Sequence, residues 1–191
     1  MVSNTKLERK QKILIAARKV ITKYGSAGLN MKELAQIAEV PRASLYRTYA
    51  SKEHIISDIT LEWGLSLVER LQTAAPKGKT NGAKIKGIFK SILEEAESNS
   101  LLISAVLENL LSADDTTRNM QVKFEELLPA LLASVIDYQS IPDAKKVMDA
   151  FLRLLLANLL MLSSGRSSLK ESLSHMIFSA EKLTGMEYWN S

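Results

Sequence analysis

Apolar residues recur every three or four positions along almost the whole chain, which is the spacing of amphipathic helices. In residues 7–24, Ile13, Leu14, Ala17 and Ile21 repeat in this way between lysines and arginines. No stretch rich in β-branched residues alternates between apolar and polar positions, as a half-buried strand would. The pattern therefore predicts an all-α protein.

Residues that break or cap helices interrupt this pattern and set the predicted helix ends. Gly25 ends the first helix, Asn30 has the side chain of an N-cap for the second, and Pro41 precedes a short third helix. Pro129 is expected to kink or divide a later helix. The predicted helices cover residues 7–24, 31–38, 42–48, 51–74, 83–98, 100–112, 115–139, 143–163 and 167–184.

The second and third predicted helices are short and are joined by a tight turn. A helix of under two turns is not stable by itself, so its neighbours must hold it. Leu34 and Leu45 provide an inner face, which leaves the outer face of the third helix free for recognition. This is the arrangement of a helix-turn-helix, whose second helix enters the major groove of DNA.

The outer face of the third helix carries hydrogen-bond donors and small side chains. We expect Arg42, Ala43, Ser44, Tyr46 and Arg47 to point outward. Arginine suits the two acceptors of guanine, a serine hydroxyl bonds a base or a phosphate, and an alanine methyl group can touch the methyl group of thymine.

Charge is distributed unevenly along the chain. Residues 1–52 contain 11 lysines and arginines against 3 acidic residues, whereas residues 53–191 contain 14 against 18. A basic face of this kind supplies phosphate neutralisation with counterion release, so it favours a polyanion-binding head. The alternative is that lysine-rich helices only keep the protein soluble.

Residues 9–56 contain the segments ILIAARKVITKYG and LNMKELAQIAEVPRASLYRTYASKEHI. They resemble the N-terminal region of the TetR family of bacterial regulators, which is named for the tetracycline repressor. The resemblance implies a helix-turn-helix DNA-binding domain over residues 1–50. It also implies a helical effector-binding and dimerisation domain over residues 51–191, and a homodimer.

The resemblance also implies roles for individual residues of the head. Glu39 stands at the turn position where the family usually has glycine. Tyr46 and Lys52 would hold phosphates, and Lys32 would make a further DNA contact. The residues that would face bases or nearby backbone are Arg42, Ala43, Ser44, Arg47 and, at the edge, Thr48.

In the remaining chain, apolar residues are candidates for an effector cavity or, as the plainer alternative, for ordinary core packing. The candidates are Trp63, Leu67, Phe89, Ile92, Phe124, Leu128 and Phe151. The last two predicted helices carry apolar residues on more than one face, which indicates a two-fold four-helix bundle between subunits. The candidate interface residues are Leu154, Asn158, Leu162, Leu173, Met176 and Ile177.

Composition argues against several other classes of protein. The sequence has no cysteine and only two histidines, His54 and His175, so we expect no metal site and no cofactor. Its longest apolar run, residues 150–162, is too short to span a bilayer, so we expect a cytoplasmic protein without membrane contact.

These observations predict a homodimeric transcriptional repressor that binds double-stranded DNA at a near-palindromic operator and is released by a small-molecule effector. One alternative is a helical enzyme, although no Gly-rich phosphate loop, metal cluster or nucleophile–base arrangement is evident. The other is a nonspecific architectural DNA-binding protein, which would lose little affinity when its site is scrambled.

Overall fold

The computed structural model describes residues 2–73, 78–113, 115–137 and 141–190, with the side chains of residues 2–4, 73, 115, 116 and 128 omitted. Within these ranges the chain forms helices and no strand, so the all-α prediction is confirmed. The helices are α1 Val2–Tyr24, α2 Met31–Ile37, α3 Arg42–Thr48, α4 Lys52–Thr73, α5 Asn81–Ser98, α6 Ser100–Leu110, α7 Asp115–Glu125, α8 Leu127–Val135, α9 Ala144–Ser163, α10 Leu169–Thr184 and α11 Met186–Asn190.

Most helix bounds lie within two residues of the predicted ones, and three differences are larger. Helix α1 begins at Val2 instead of residue 7. The helix predicted over residues 115–139 is divided at Glu126, and Pro129 lies in the first turn of α8, where its missing N–H has no cost. Helix α11 was not predicted, because five residues after a glycine are too few for a helical repeat to be visible.

The described residues form two compact units. The first comprises the chain up to Glu62 together with Leu101–Gln121, and the second comprises Trp63–Ser100 with the residues from Val122 onward. Helix α4 contributes residues to both units. The functional division at residue 50 remains a prediction.

In the first unit, α1 packs against α2 and α2 packs against α3. The core side chains of these helices are at most 1% exposed: Ile13, Ala17, Ile21, Leu34 and Leu45. Because α3 is only seven residues long, burial of one face of it is what keeps it helical.

The turn between α2 and α3 is a Schellman motif. The N–H of Val40 donates to the carbonyl of Ala35 at 3.0 Å, and the N–H of Glu39 donates to the carbonyl of Gln36 at 3.1 Å. Glu39 has a φ of 55°, the left-handed conformation that glycine adopts most easily. The position where the resemblance implies glycine therefore has the backbone of a glycine turn.

In the second unit, α10 packs mainly against α5 and α9. Phe89 and Phe151 meet edge to face at its centre, with ring centroids 5.7 Å apart and an interplanar angle of 87°. Trp189 of α11 lies against Gly82 of α5, where a β-carbon would come within 2.5 Å of the indole ring. Helix α11 thus closes one side of this core.

We expect Glu39→Gly to stabilise the protein by about 0.5–1 kcal/mol, because glycine adopts positive φ without the cost that a side chain imposes. Urea unfolding of both proteins measures the difference. Gln36→Gly, which places glycine on the exposed face of α2, is the matched control and should destabilise by about 1 kcal/mol. Equal stability of Glu39→Gly and the parent protein would contradict the strained turn.

Candidate nucleic-acid interface and apolar cavity

Helix α3 presents four exposed side chains on one side: Arg42, Ala43, Tyr46 and Arg47. At 100° per residue, these positions fall in one arc of the helix, and the buried or half-buried positions 44, 45, 48 and 49 fall in the other. Tyr46 is 50% exposed, so its phenol is accessible at the surface. The exposed arc combines guanidinium donors, a phenol and a small methyl group.

The prediction that Ser44 points outward is wrong. Ser44 is 4% exposed, because its position is adjacent on the helix to the fully buried Leu45. Its hydroxyl oxygen accepts a hydrogen bond from Nη2 of Arg47 at 3.0 Å, and its carbonyl accepts one from the hydroxyl of Thr48 at 2.9 Å. Ser44 therefore orients the Arg47 guanidinium from within.

The end of α3 is fixed by a shared carboxylate. The hydroxyl of Tyr49 donates to Oδ2 of Asp58 at 2.7 Å, and Nζ of Lys10 lies 2.8 Å from the same oxygen. Burial, followed by the Asp58 carboxylate, raises the pKa of Tyr49 well above its usual value, so the phenol remains a donor. This cluster joins α1 and α4 to the residue that caps the end of α3.

The two lysines implied to contact DNA lie at helix starts. Lys32 is exposed in the first turn of α2, and half-buried Lys52 is the first residue of α4. Lys52 borders a depression that is also lined by Ser26, Glu53 and Glu108, and the Ser26 hydroxyl donates to the Glu108 carboxylate. Lys52 thus shares this depression with two acidic residues.

Buried amides connect α6 to the start of α4. Asn109 is 5% exposed and donates to the carbonyl of Glu53 at 3.3 Å, and it accepts from the hydroxyl of Ser57 at 3.2 Å. Gln121 of α7 donates to the carbonyl of Asn109 at 3.1 Å. This network was not predicted, since the sequence shows that Asn109 is polar but not which residue it bonds.

The helix-turn-helix has relatives of known class. A sequence model described as "Bacterial regulatory proteins, tetR family" matches residues 13–59, which include the whole of α2, the turn and α3. This segment belongs to the TetR family of transcriptional regulators. Regulators of this family are DNA-binding proteins and not enzymes, so the prediction of a non-enzymatic regulator is confirmed.

Similarity to other TetR-family proteins extends over most of the chain. The HTH-type transcriptional repressor KstR of Rhodococcus jostii (strain RHA1) is 25% identical over 187 residues, which cover 96% of this chain and 86% of that protein. A TetR transcriptional regulator from Rhodococcus sp. RHA1 has the same fold, with a TM-score of 0.75, 17% identity, and 94% and 97% of the two chains covered.

A further solved structure shares the fold and contains a ligand. The regulator FadR from Bacillus subtilis, in complex with stearoyl-CoA, has a TM-score of 0.69 and 15% identity, with 92% of this chain and 97% of that chain covered.

The second unit contains an apolar cavity between α4, α5, α7, α8 and α9. The cavity has a volume of about 40 Å³. The lining residues are Trp63, Gly64, Leu67, Val68, Ile92, Phe124, Leu127, Leu131, Leu152, Leu155, Leu156 and Leu159. All are apolar, so the cavity suits an apolar guest.

Four of the predicted cavity residues line this space: Trp63, Leu67, Ile92 and Phe124. Phe89 and Phe151 do not, because both are 0% exposed and pack against each other in the core. The side chain of Leu128 lies outside those that the structure describes. The leucines of α9 at 152, 155, 156 and 159 were missed, although their helical spacing marks one face.

Trp63 and Gly64 shape one wall of the cavity. The Trp63 ring is 3% exposed and nearly parallel to Phe124, with centroids 6.2 Å apart and an interplanar angle of 12°. A β-carbon on Gly64 would lie 2.6 Å from Leu127 and 3.0 Å from Phe124. Among the described side chains, Nε1 of Trp63 is buried without a hydrogen-bond partner.

Two of the predicted interface residues are buried between α9 and α10 of the same chain. Met176 is 0% exposed, and Asn158 is 6% exposed. The Asn158 amide lies 3.1 Å from Nδ1 of His175 and 3.3 Å from the sulfur of Met176. Their burial removes Met176 and Asn158 from any surface that a second subunit touches, because helix packing within the chain already uses that face.

The other predicted interface residues differ in their exposure. Leu154, Leu173 and Ile177 are half-buried, and Leu162 is 8% exposed. The most exposed apolar side chains of these helices were not among the predicted interface residues; they are Leu160, Met161 and Phe178 at 45%, 40% and 61%.

Other kinds of site find no support in the described part of the chain. No group of three or more His, Asp or Glu residues there has the placement of a metal site. None of the described helices combines the length and apolarity needed to cross a membrane.

We expect Tyr49→Phe to destabilise the protein by about 1–2 kcal/mol, because Asp58 loses a buried hydrogen-bond donor. Urea unfolding checks this at neutral pH. Since the folded-state pKa of Tyr49 is raised, its stabilising contribution is complete below the ordinary value of 10.0 and falls as the pH rises above it. Tyr24→Phe, at a 60% exposed ring, is the control. An equally small effect of both changes would contradict a stabilising role of the hydrogen bond from Tyr49 to Asp58.

Proposed function

We propose that this TetR-family chain is a homodimeric repressor that binds a near-palindromic operator and releases it when a small apolar effector occupies the cavity of the second unit. The observation that carries the DNA-binding part is the exposed arc of α3. In this proposal residues 1–50 bind DNA, and residues 51–191 bind the effector and the second subunit.

The proposed DNA contacts divide into base contacts and backbone contacts. Arg42 and Arg47 are exposed and supply bidentate donors for guanine, and Ala43 lies between them on the same arc. Ser44 acts indirectly, since its hydroxyl binds Arg47. The backbone contacts are assigned to Lys32, Tyr46, Thr48 and Lys52, since phosphate contacts set position without reading sequence.

The proposed dimer uses the outer faces of α9 and α10. Exposed Leu160, Met161 and Phe178, together with half-buried Leu154 and Leu173, leave apolar area that a second copy would cover. A two-fold four-helix bundle would bury it. Two heads would then meet two half-sites about one helical turn of DNA apart, or a multiple of it.

Helix α4 offers a route from the cavity to the head. It runs without interruption from Lys52 to Thr73, and Trp63, eleven residues from its start, lies about 16 Å along the axis. An effector that enlarges the cavity moves its α4 wall, and the helix carries the movement to Lys52. The effector must prefer the released form, because equal affinity for both forms would shift nothing.

Two observations favour an operator-specific regulator over a nonspecific architectural protein. The Ser44 hydroxyl fixes the Arg47 guanidinium, and fixed geometry is needed for bidentate base contacts but not for charge neutralisation. The relative KstR is itself a transcriptional repressor.

We expect Arg42→Ala and Arg47→Ala to change base preference, whereas Lys52→Ala should weaken operator and scrambled DNA equally. Each bidentate arginine is worth about 1–3 kcal/mol at its own base pair. Loss of one phosphate contact per subunit should lower the slope of log affinity against log salt by about two per dimer. Binding-site selection from random DNA, followed by salt titrations on the selected and scrambled sites, measures both effects.

The arginine and lysine variants are matched controls for one another. If the arginine variants lose affinity equally for every sequence, the exposed arc of α3 grips phosphate and does not read bases. An unchanged salt slope for Lys52→Ala would move Lys52 away from the DNA backbone.

We expect Phe178→Glu to convert the dimer to monomers, because a carboxylate without a partner in an apolar interface costs several kcal/mol. Analytical ultracentrifugation measures the oligomeric state. Leu111→Glu is the control, since Leu111 is 66% exposed and lies outside α9 and α10. A monomeric parent protein would contradict the proposed binding to a palindromic site.

A further inference from the structure

The indole N–H of Trp63 is a buried donor without an acceptor among the described residues. Its side chain is 3% exposed and lines the apolar cavity, and Nε1 finds no partner among the described residues. Buried donors in proteins are nearly always paired, and one without a partner carries a desolvation cost. Nε1 is closed off from the cavity as it stands, so a molecule recovers that cost only if it widens the cavity at Trp63 and offers an oxygen there.

We propose that Trp63 is the specificity-determining donor of the cavity and that the effector is a neutral, apolar molecule with one carbonyl oxygen that accepts from Nε1. The inference rests on the proposed function, in which this cavity is the effector site. The rest of the effector contacts only hydrocarbon, because every other lining side chain is aliphatic or phenyl, or is absent at Gly64.

The charges around the cavity exclude an anionic acceptor. A carboxylate among these lining residues would be buried without a cation. The adjacent surface groove, which shares Leu67 with the cavity, carries Glu94 and Glu95 against Arg70, whose Nη2 lies 3.5 Å from Glu95 Oε1. A phosphate-bearing group, such as that of the stearoyl-CoA bound by FadR, would meet two carboxylates there.

The shape of the cavity favours a slim or flat group. The Trp63 and Phe124 rings are nearly parallel at 6.2 Å between centroids. Gly64 allows Phe124 and Leu127 to approach α4 closely, since a β-carbon there would meet both. An aromatic ketone combines a flat apolar body with the required acceptor.

The test compares acetophenone with ethylbenzene, which has the same skeleton without the carbonyl, and with benzoate, which carries charge. The full chain, labelled with ¹⁵N, has two indole N–H resonances, from Trp63 and Trp189. We expect acetophenone to shift the Trp63 resonance downfield, ethylbenzene to shift it much less, and benzoate not to bind. This reading needs no mutation, so it does not depend on the folding of a variant.

The second part of the test measures how tightly variants of the protein bind acetophenone and ethylbenzene. Trp63→Phe should weaken acetophenone binding about tenfold relative to its effect on ethylbenzene. Trp189→Phe is the matched control, because Trp189 packs on Gly82 and does not line the cavity, and it should leave both affinities unchanged. Calorimetric titration measures all of them.

The outcomes separate the two proposals. If both neutral probes bind and Trp63→Phe weakens them equally, the inference about Trp63 is overturned and the cavity remains the binding site. Benzoate binding as tightly as acetophenone overturns the neutral class of effector. If no probe binds or perturbs either indole, the cavity is not an effector site, and the proposed release mechanism fails together with the inference.

Discussion

Helix α3 is too short to exist alone, and this constraint governs the whole first unit. Seven residues give fewer than two turns, so the helix depends on Leu45 in the core and on the hydrogen bond from Tyr49 to Asp58. Lys10 of α1 pairs with the same carboxylate of α4, so both helices hold α3 in place. A recognition surface built in this way is as rigid as its supporting helices.

The apolar cavity and the helix-turn-helix differ in the kind of contact that surrounds them. Around α3 the buried polar groups are paired, as Ser44 is with Arg47, and pairing fixes geometry. Around the cavity the contacts are apolar and non-directional, and the one buried donor, among the described side chains, is unpaired. A rigidly placed side chain suits base recognition, whereas non-directional apolar contacts allow the volume of a cavity to change.

The head was predictable from sequence because its signals are local. Asn30 caps α2, accepting from the N–H of Lys32 at 2.8 Å, and the predicted bounds of α3 agree with the structure. The direction in which each side chain of α3 points was less predictable. Ser44 is polar, and only its angular position beside Leu45 on the helix indicates that it is buried.

The second unit was less predictable because its contacts join distant segments. Phe89 and Trp63 are both aromatic residues at helical spacing, and nothing local tells that one packs on Phe151 and the other lines a cavity. On α9 most faces are apolar, so the sequence alone does not assign one to the core, one to the cavity and one to the solvent. These assignments follow from the packing of α5, α9 and α10.

Glu39 gives the turn a property that a glycine would lack. Its backbone follows the glycine conformation, and its exposed carboxylate stands between the two helices of the proposed DNA surface. Repulsion between a carboxylate and phosphates is the same on every sequence, whereas base contacts exist only at the operator. In the proposed DNA complex, Glu39 therefore weakens binding to random DNA and to the operator by the same factor, and it shortens the time spent at each nonspecific site during a search.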